Sequence, residues 1–155
     1  MTSSQHAGAA LGRMVVVNMV LLAGAAAGAA ESTFGAAADN TLIQVLDPNA
    51  PRSNGRGDSV FTGLTQRDGL RRAVLRFDLS VIPPGATVQS ATLTLTLTHT
   101  RPGSSAIKLH RSLQDWGEGA SSAFGGIGTV AEPGDVTWFE RFRLAQPPKI
   151  GRAHV

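Results

Sequence analysis

The sequence predicts an all-β protein, an antiparallel β-sandwich of the jelly-roll type that is incomplete at its C-terminus. Residues 90–100 alternate between a leucine-rich face and a threonine face, which is the period of an extended strand. Residues 71–80 alternate in the same way, with arginines at 72 and 76 on one face and apolar residues on the other. Turn residues separate these runs, and no stretch after residue 30 has a helical apolar period. Short strands divided by turns are typical of a β-sandwich.

Composition narrows the class of protein. A chain of 155 residues has room for one domain. The absence of cysteine excludes disulfides, thiol nucleophiles and cysteine-based zinc sites. A net charge of +3 is too small to indicate nucleic-acid binding. The sequence also lacks the Gly-x-Ser-x-Gly motif of hydrolases and the Gly-x-x-x-x-Gly-Lys phosphate loop.

Residues 1–30 have the pattern of a bacterial export signal. Arg13 supplies positive charge, an apolar run extends from Met14 to Ala27, and small residues follow it. The alternative is a transmembrane anchor, but the run is shorter than the roughly 20 apolar residues that a span needs. We therefore expect a secreted or cell-surface protein with no stable membrane span once the signal is cleaved.

After a linker at 31–38, strands are expected in the following order. The first covers 39–45 and ends at a proline-containing turn, and a short strand at 59–64 leads to a turn at 66–69. The two alternating strands follow, separated by the prolines of 83–84. A further strand is expected at 106–111, and residues 135–138 are again typical of β-structure.

The motifs of the central region resemble one known family. Arg-Phe-Asp-Leu-Ser at 76–80, Ile-Pro-Pro-Gly-Ala-Thr-Val at 82–88 and Ser-Ala-Thr-Leu-Thr-Leu at 90–95 resemble the centre of the DNRLRE domain family. Asp-Trp-Gly-Glu-Gly at 115–119 and Gly-Asp-Val-Thr-Trp at 134–138 resemble its later motifs, in the same order. The resemblance covers 39–142 and implies a secreted bacterial jelly-roll domain. Some relatives resemble carbohydrate-binding modules of polysaccharide-degrading enzymes, and no catalytic motif is transferred.

The chain departs from the family pattern at its end. Family members continue with further strands, whereas residues 143–155 do not resemble the family, and Lys149–Val155 resembles a translated sequencing adapter. The hypothesis is a truncated gene whose full length encodes the missing strands and further domains. Missing strands would leave apolar faces and sheet edges uncovered.

Two tryptophans are the candidate ligand-binding residues. Exposed indoles stack against sugar rings, and nearby carboxylates accept hydrogen bonds from sugar hydroxyls. The candidate set is Trp116, Asp115, Glu118 and Trp138. The alternative is that both indoles belong to the core, because large aromatic residues are mostly buried.

Metal binding has weaker support in the sequence. Asp39 and Asp78, with Asn54 and Asp58, are candidate oxygen ligands for a structural Ca²⁺, although no regular loop spacing joins them. His99 and His110 would be neighbours if their strands form a hairpin, but no ligand spacing accompanies them. No other cofactor is expected.

The sequence therefore predicts a non-catalytic, secreted module that binds carbohydrate or mediates cell-surface adhesion, with a polysaccharide or surface glycan as partner. Two alternatives stay open. One is a purely structural component of an extracellular matrix or surface layer. The other is an accessory domain of a polysaccharide-degrading enzyme.

Overall fold

The computed structural model describes residues 9–22, 30–65, 69–100 and 106–144, and these residues are all-β, without a helix. There is accordingly no helix in these ranges that is long and apolar enough to cross a membrane. The strands are, in chain order, β1 (Ala9–Leu22), β2 (Ala30–Ile43), β3 (Arg52–Ser53), β4 (Ser59–Leu64), β5 (Leu70–Phe77), β6 (Thr87–Thr100) and β7 (Thr129–Val130).

Every ladder in the sheet is antiparallel. The strand order is β6-β1-β4-β5-β2-β3-β7, and β1 also pairs with β2. The first part of β1 pairs with β4 and its later part with β2, while β6 lies along its other edge. Because β1, β4, β5 and β2 are joined in a ring of ladders, the sheet curls back on itself. Its five long strands are β1, β2, β4, β5 and β6.

The two faces of β5 pack into two small apolar clusters. Phe77, with Ile82 and Ala86, packs against Phe34 of β2. On the opposite face, Val74 and Leu42 pack against the cluster formed by Ala38, Trp116 and Val136. Residues 74 and 77 differ by an odd number of positions, so they point to opposite faces of one strand. The side chains of β5 therefore alternate between two faces, as the sequence predicted.

Strand β6 contributes little to the buried core. Of its leucines, Leu93 and Leu95 are half-buried and Leu97 is 50% exposed. The threonines of the opposite face are exposed from Thr92 to Thr98. Within the described residues, the leucine face of β6 therefore has only partial cover.

The all-β, antiparallel prediction is confirmed, while the two-layer jelly-roll arrangement and the missing C-terminal strands stay predictions. The strands predicted near 59–64, 71–80 and 90–100 are present as β4, β5 and β6. The strand predicted at 106–111 is wrong, because this segment has no ladder partner and all six residues are exposed. The hairpin that would have brought His99 next to His110 is therefore not formed.

The N-terminal region is more regular than the sequence suggested. Strand β2 begins at Ala30, so it includes the segment 31–38 that was predicted as a linker. Strand β1 falls within the predicted export signal. Residues 1–8 and 23–29 of that signal, the turn residues 66–68 and the tail from 145 onward lie outside the described residues. Export and the adapter-like tail stay predictions.

Candidate binding cleft

The two segments that contain the tryptophans, residues 115–119 (the first tryptophan motif) and 134–138 (the second), lie side by side. Backbone hydrogen bonds join them. The N–H of Val136 donates to the carbonyl of Gly117 at 2.8 Å, and the N–H of Gly117 donates to the carbonyl of Arg141 at 3.0 Å. The N–H of Thr137 donates to the carbonyl of Glu140 at 2.8 Å, which turns the chain back after Trp138. Motifs that are about 20 residues apart in the sequence therefore form one structural unit.

Asp135 fixes this unit from within. Its side chain is fully buried and accepts hydrogen bonds from the N–H of Glu132 at 2.6 Å and the N–H of Ser121 at 3.4 Å. Gly119 approaches the carboxylate so closely that an added Cβ would overlap its Oδ1. The position of Asp135 therefore requires a glycine at 119.

A cleft of about 440 Å³ lies beside the paired motifs. Leu42 of β2 and Val74 of β5 supply its apolar base, and the segments 112–116 and 136–141 supply the remaining lining residues. Both indoles line it, together with the polar side chains of Ser112, Gln114, Asp115, Glu140 and Arg141. The structure therefore places three of the four candidate residues, Trp116, Asp115 and Trp138, along one cleft.

Trp116 is mainly a core residue. It is 6% exposed and packs with Ala38 and Val136. The guanidinium of Arg76 lies over its ring, 4.8 Å from the centroid. Trp116 therefore occupies a core position, as the alternative interpretation of the sequence expected.

Trp138 and Phe139 are the more accessible aromatic residues of the cleft. Trp138 is half-buried, and the guanidinium carbon of Arg72 lies 4.7 Å from its ring centroid. Phe139 also lines the cleft and is 46% exposed. An aromatic surface open to a ligand is therefore formed by residues 138 and 139 more than by Trp116.

Asp115 and Glu118 have different surroundings. Asp115 Oδ1 accepts hydrogen bonds from Arg76 at 2.6 Å and from the N–H of Trp116 at 2.9 Å, at the exposed rim of the cleft. Glu118 does not line the cleft. Its Oε1 accepts a hydrogen bond from the N–H of Asp39 at 3.2 Å, and its Oε2 lies 4.0 Å from Nε of Arg56. Glu118 thus ties the first motif to β2.

The calcium candidates do not form a common site. Asp39 is 4% exposed and pairs with Leu75 in the β2–β5 ladder, so Asp78 lies three residues further along, roughly 10 Å away. Ca²⁺ needs oxygens 2.3–2.6 Å from a shared centre. In the described part of the chain, no three His, Cys, Asp or Glu side chains are grouped to hold a metal ion.

Asp78 instead closes a turn. The N–H of Ser80 donates to its Oδ1 at 2.9 Å. This backbone hydrogen bond, followed by one from the Ser80 side chain, lowers the pKa of the Asp78 carboxyl. Asp58 is exposed, and Asn54 is buried with its Oδ1 accepting from the N–H of Ala123 at 2.8 Å. Asp78 therefore stabilises a turn, Asn54 stabilises a loop, and Asp58 faces solvent.

Sequence analysis did not predict that the β5 arginines lie against the indoles. A signal was present, because Arg72, Val74 and Arg76 share one face of the alternating strand. Val74 reaches the cleft, and the arginines on either side of it cover Trp138 and Trp116. The sequence does not show that residues 115–119 and 134–138 dock on this face of β5, because that contact joins distant parts of the chain.

A buried polar network under the first motif also escaped sequence analysis. Asn40 Nδ2 donates to Ser53 Oγ at 2.8 Å and to the carbonyl of Glu118 at 2.7 Å. Its Oδ1 accepts from the N–H groups of Thr41 and Asn54. Ser53 Oγ donates to the carbonyl of Val136 at 2.9 Å. The network therefore connects β2 and β3 to both tryptophan motifs.

Comparison of the chain with models of protein families, with curated proteins and with solved structures gave no match.

Proposed function

We propose that this chain is an exported, non-catalytic module that binds a polysaccharide or surface glycan in the cleft beside the two tryptophan motifs. The observation that carries the proposal is the accessible aromatic pair Trp138 and Phe139 in a cleft lined by polar side chains. A pyranose ring has apolar C–H faces and a rim of hydroxyls. Such a ligand matches an aromatic surface surrounded by hydrogen-bonding groups.

The polar groups of the cleft suit sugar hydroxyls. Gln114 provides both donors and acceptors, and Asp115 and Glu140 provide carboxylate oxygens. Both carboxylates are already oriented by arginines, at 2.6 Å from Arg76 and 2.8 Å from Arg143. Oriented acceptors lose less conformational freedom when a ligand binds. The cleft is therefore partly preorganised.

The charge balance of the cleft favours an acidic sugar over a neutral one. Asp115 and Glu140 are each paired with an arginine. Among the residues described, no carboxylate forms an ion pair with Arg72 or Arg141, which lie over Trp138 and along the cleft wall. Guanidinium groups bind carboxylates through two parallel hydrogen bonds. A uronate stacked on the ring face of Trp138 that Arg72 leaves open would have Arg141, on the cleft wall, as the partner for its carboxylate.

The test is affinity electrophoresis of the protein in native gels that contain a polyuronate, a neutral β-glucan or no polysaccharide. We expect retardation in the polyuronate gel, and we expect Trp138→Ala to weaken binding about tenfold, equivalent to about 1.4 kcal/mol. Trp138→Phe should restore part of the loss. Phe124→Ala is the matched control, because Phe124 is a fully exposed aromatic residue that does not line the cleft.

Three outcomes of this test would contradict the proposal. A purely structural component shows no retardation in any gel, and equal retardation of wild type and Trp138→Ala places binding outside the cleft. An enzyme generates new reducing or unsaturated sugar ends during incubation with the polysaccharide. Either of the first two outcomes contradicts the proposed cleft, and the third contradicts a non-catalytic role.

A further inference from the structure

We propose that the free edge of β6 is an interface at which two copies of this chain pair, antiparallel, into one continuous sheet. Strand β6 is the terminal strand of the sheet order, and β1 is its only ladder partner among the described residues. The N–H and C=O groups of the other edge therefore face away from the sheet. With 14 residues, this edge is about 45 Å long.

The sequence of β6 lacks the residues that usually prevent edge pairing. Sheet edges are commonly protected by lysines, prolines, inward-pointing charges, β-bulges or very short terminal strands. Of these, β6 has only register shifts near its two ends. Between Thr87 and Thr100 there is no Lys, Arg, Asp, Glu or Pro. The opposite end of the sheet contrasts with this, since β7 has only two residues. At the β7 end the terminal strand is too short to pair extensively with another strand. At the β6 end the terminal strand is long and carries no Lys, Arg, Asp or Glu.

The alternation of β6 makes it complementary to itself. In an antiparallel pair, residues directly opposite each other lie on the same face. When β6 pairs with a second β6 about a two-fold axis at Leu93 or Thr94, every leucine lies opposite an apolar residue or another residue of the leucine face. Threonines likewise lie opposite residues of the threonine face. Register shifts at Gln89 and Thr98 interrupt the alternation near the two ends of β6, so the regular segment 90–97 forms the paired part.

Pairing would also improve the surroundings of the exposed leucines. Leu97 is 50% exposed and does not belong to the buried core. Cross-strand contacts between β-branched or apolar side chains contribute roughly 0.2–1 kcal/mol each. The net charge of +3 per chain adds little repulsion between two copies. A second copy therefore supplies both the backbone partners and the lateral contacts that this edge lacks.

The interface requires that residues 9–22 remain in the chain. Strand β1 lies inside the predicted export signal and is the only ladder partner of β6 among the described residues, so the proposal concerns the chain before that signal is cleaved. Strand β1 pairs with one edge of β6, and the proposed interface uses the other edge. The cleft is lined by β2, β5 and the loops after β6, so it does not include β6 residues. Pairing and ligand binding can therefore be tested separately.

The experiment measures the mass of the 155-residue chain by light scattering after size-exclusion chromatography. Wild type should have twice the chain mass of 16.1 kDa. Thr92→Lys/Thr94→Lys and Thr92→Glu/Thr94→Glu should each halve this mass, because either symmetry axis places like charges opposite one another. All four substitutions are at exposed positions. The double variant Asn49→Lys/Ala50→Lys, in an exposed turn, is the control that should keep the wild-type mass.

Mixing the lysine and glutamate variants in equal amounts provides the decisive result. Opposite charges then face each other, and the mixture should recover the doubled mass, which also shows that each variant is folded. A wild type with the mass of one chain would overturn the proposal. So would a lysine variant that keeps the doubled mass, or a mixture that stays at the mass of one chain.

Discussion

The guanidinium of Arg76 covers the indole of Trp116 at 4.8 Å, and the same group donates a hydrogen bond to Asp115 at 2.6 Å. It also donates to the backbone carbonyl of Trp116. One side chain of β5 thereby contacts the ring, the carbonyl and the preceding carboxylate of the first tryptophan motif. Arg76 is the link that holds this motif against the sheet.

Arg76→Ala should lower the free energy of unfolding by about 1–2 kcal/mol, since a partly desolvated cation–π contact is lost together with its hydrogen bonds. The ion pair with Asp115 adds little, because both side chains are substantially exposed. Arg72→Ala is the matched control, since it removes a cation–π contact to the half-buried Trp138 without such hydrogen bonds. It should lower the free energy by less than about 1 kcal/mol. Urea unfolding followed by tryptophan fluorescence measures both, and equal losses would contradict the assigned role of Arg76.

Asn40→Ala should be among the most destabilising polar substitutions, lowering the free energy of unfolding by about 3–5 kcal/mol. The change leaves buried partners unsatisfied at Ser53, at the carbonyl of Glu118 and at the N–H of Asn54. Asn49→Ala is the control, because Asn49 is exposed and contributes only its backbone N–H. The measurement is the midpoint of denaturant unfolding. A loss for Asn40→Ala no larger than that for Asn49→Ala would refute the network.

Gly119→Ala and Gly125→Ala separate steric overlap from backbone strain. Both glycines have a positive φ, +72° and +77°, so alanine is strained at either position by roughly 1 kcal/mol. At Gly119 the new methyl also overlaps Asp135 Oδ1, whereas at Gly125 nothing lies within 4 Å. Thermal unfolding should show a larger loss for Gly119→Ala. The same loss at both positions would mean that Gly119 and Asp135 are not in close contact.

The Asp78 carboxyl should titrate below the ordinary range of an aspartate, because the N–H of Ser80 stabilises its charged form. A pKa lowered in the folded state gives stabilisation that is present above the unfolded pKa. That stabilisation is lost as the pH falls through the folded pKa. Carboxyl NMR titration should show a partial rise of the pKa in Ser80→Ala. The rise should be greater in Ser80→Pro, which also removes the backbone donor. Unchanged titration in Ser80→Pro would contradict this cause.

The parts of the fold that the sequence predicted correctly are those with a local signal. The two-residue alternation at 71–80 and 90–100 predicted strands, and β5 and β6 occupy those positions. The alternation at 106–111 gave the same signal, but no strand pairs with it. A strand requires a partner for its backbone groups, and that partner is set by long-range pairing.

The candidate cleft shows the same division between local and long-range information. Aromatic and acidic residues in two motifs made Trp116, Asp115 and Trp138 candidates, and the structure places these three residues along one cleft. The burial of Trp116, the diversion of Glu118 towards Asp39 and the accessibility of Phe139 depend on how the motifs dock on β5. Docking is decided by backbone hydrogen bonds such as that from Val136 to Gly117, which residue types do not encode.

The β1–β6 ladder also determines when during synthesis the sheet can be completed. It joins Leu22 to Thr87 and Ala9 to Thr100, separations of 65 and 91 residues (87 − 22 and 100 − 9). At about 5–20 residues per second, a ribosome needs roughly 3–18 s to add that length of chain. During this interval one edge of β1 has no strand to pair with, and contacts between distant residues then form slowly. One edge of β1 thus stays open to other binding partners until β6 has been made, although its other edge can already pair with β2 and β4.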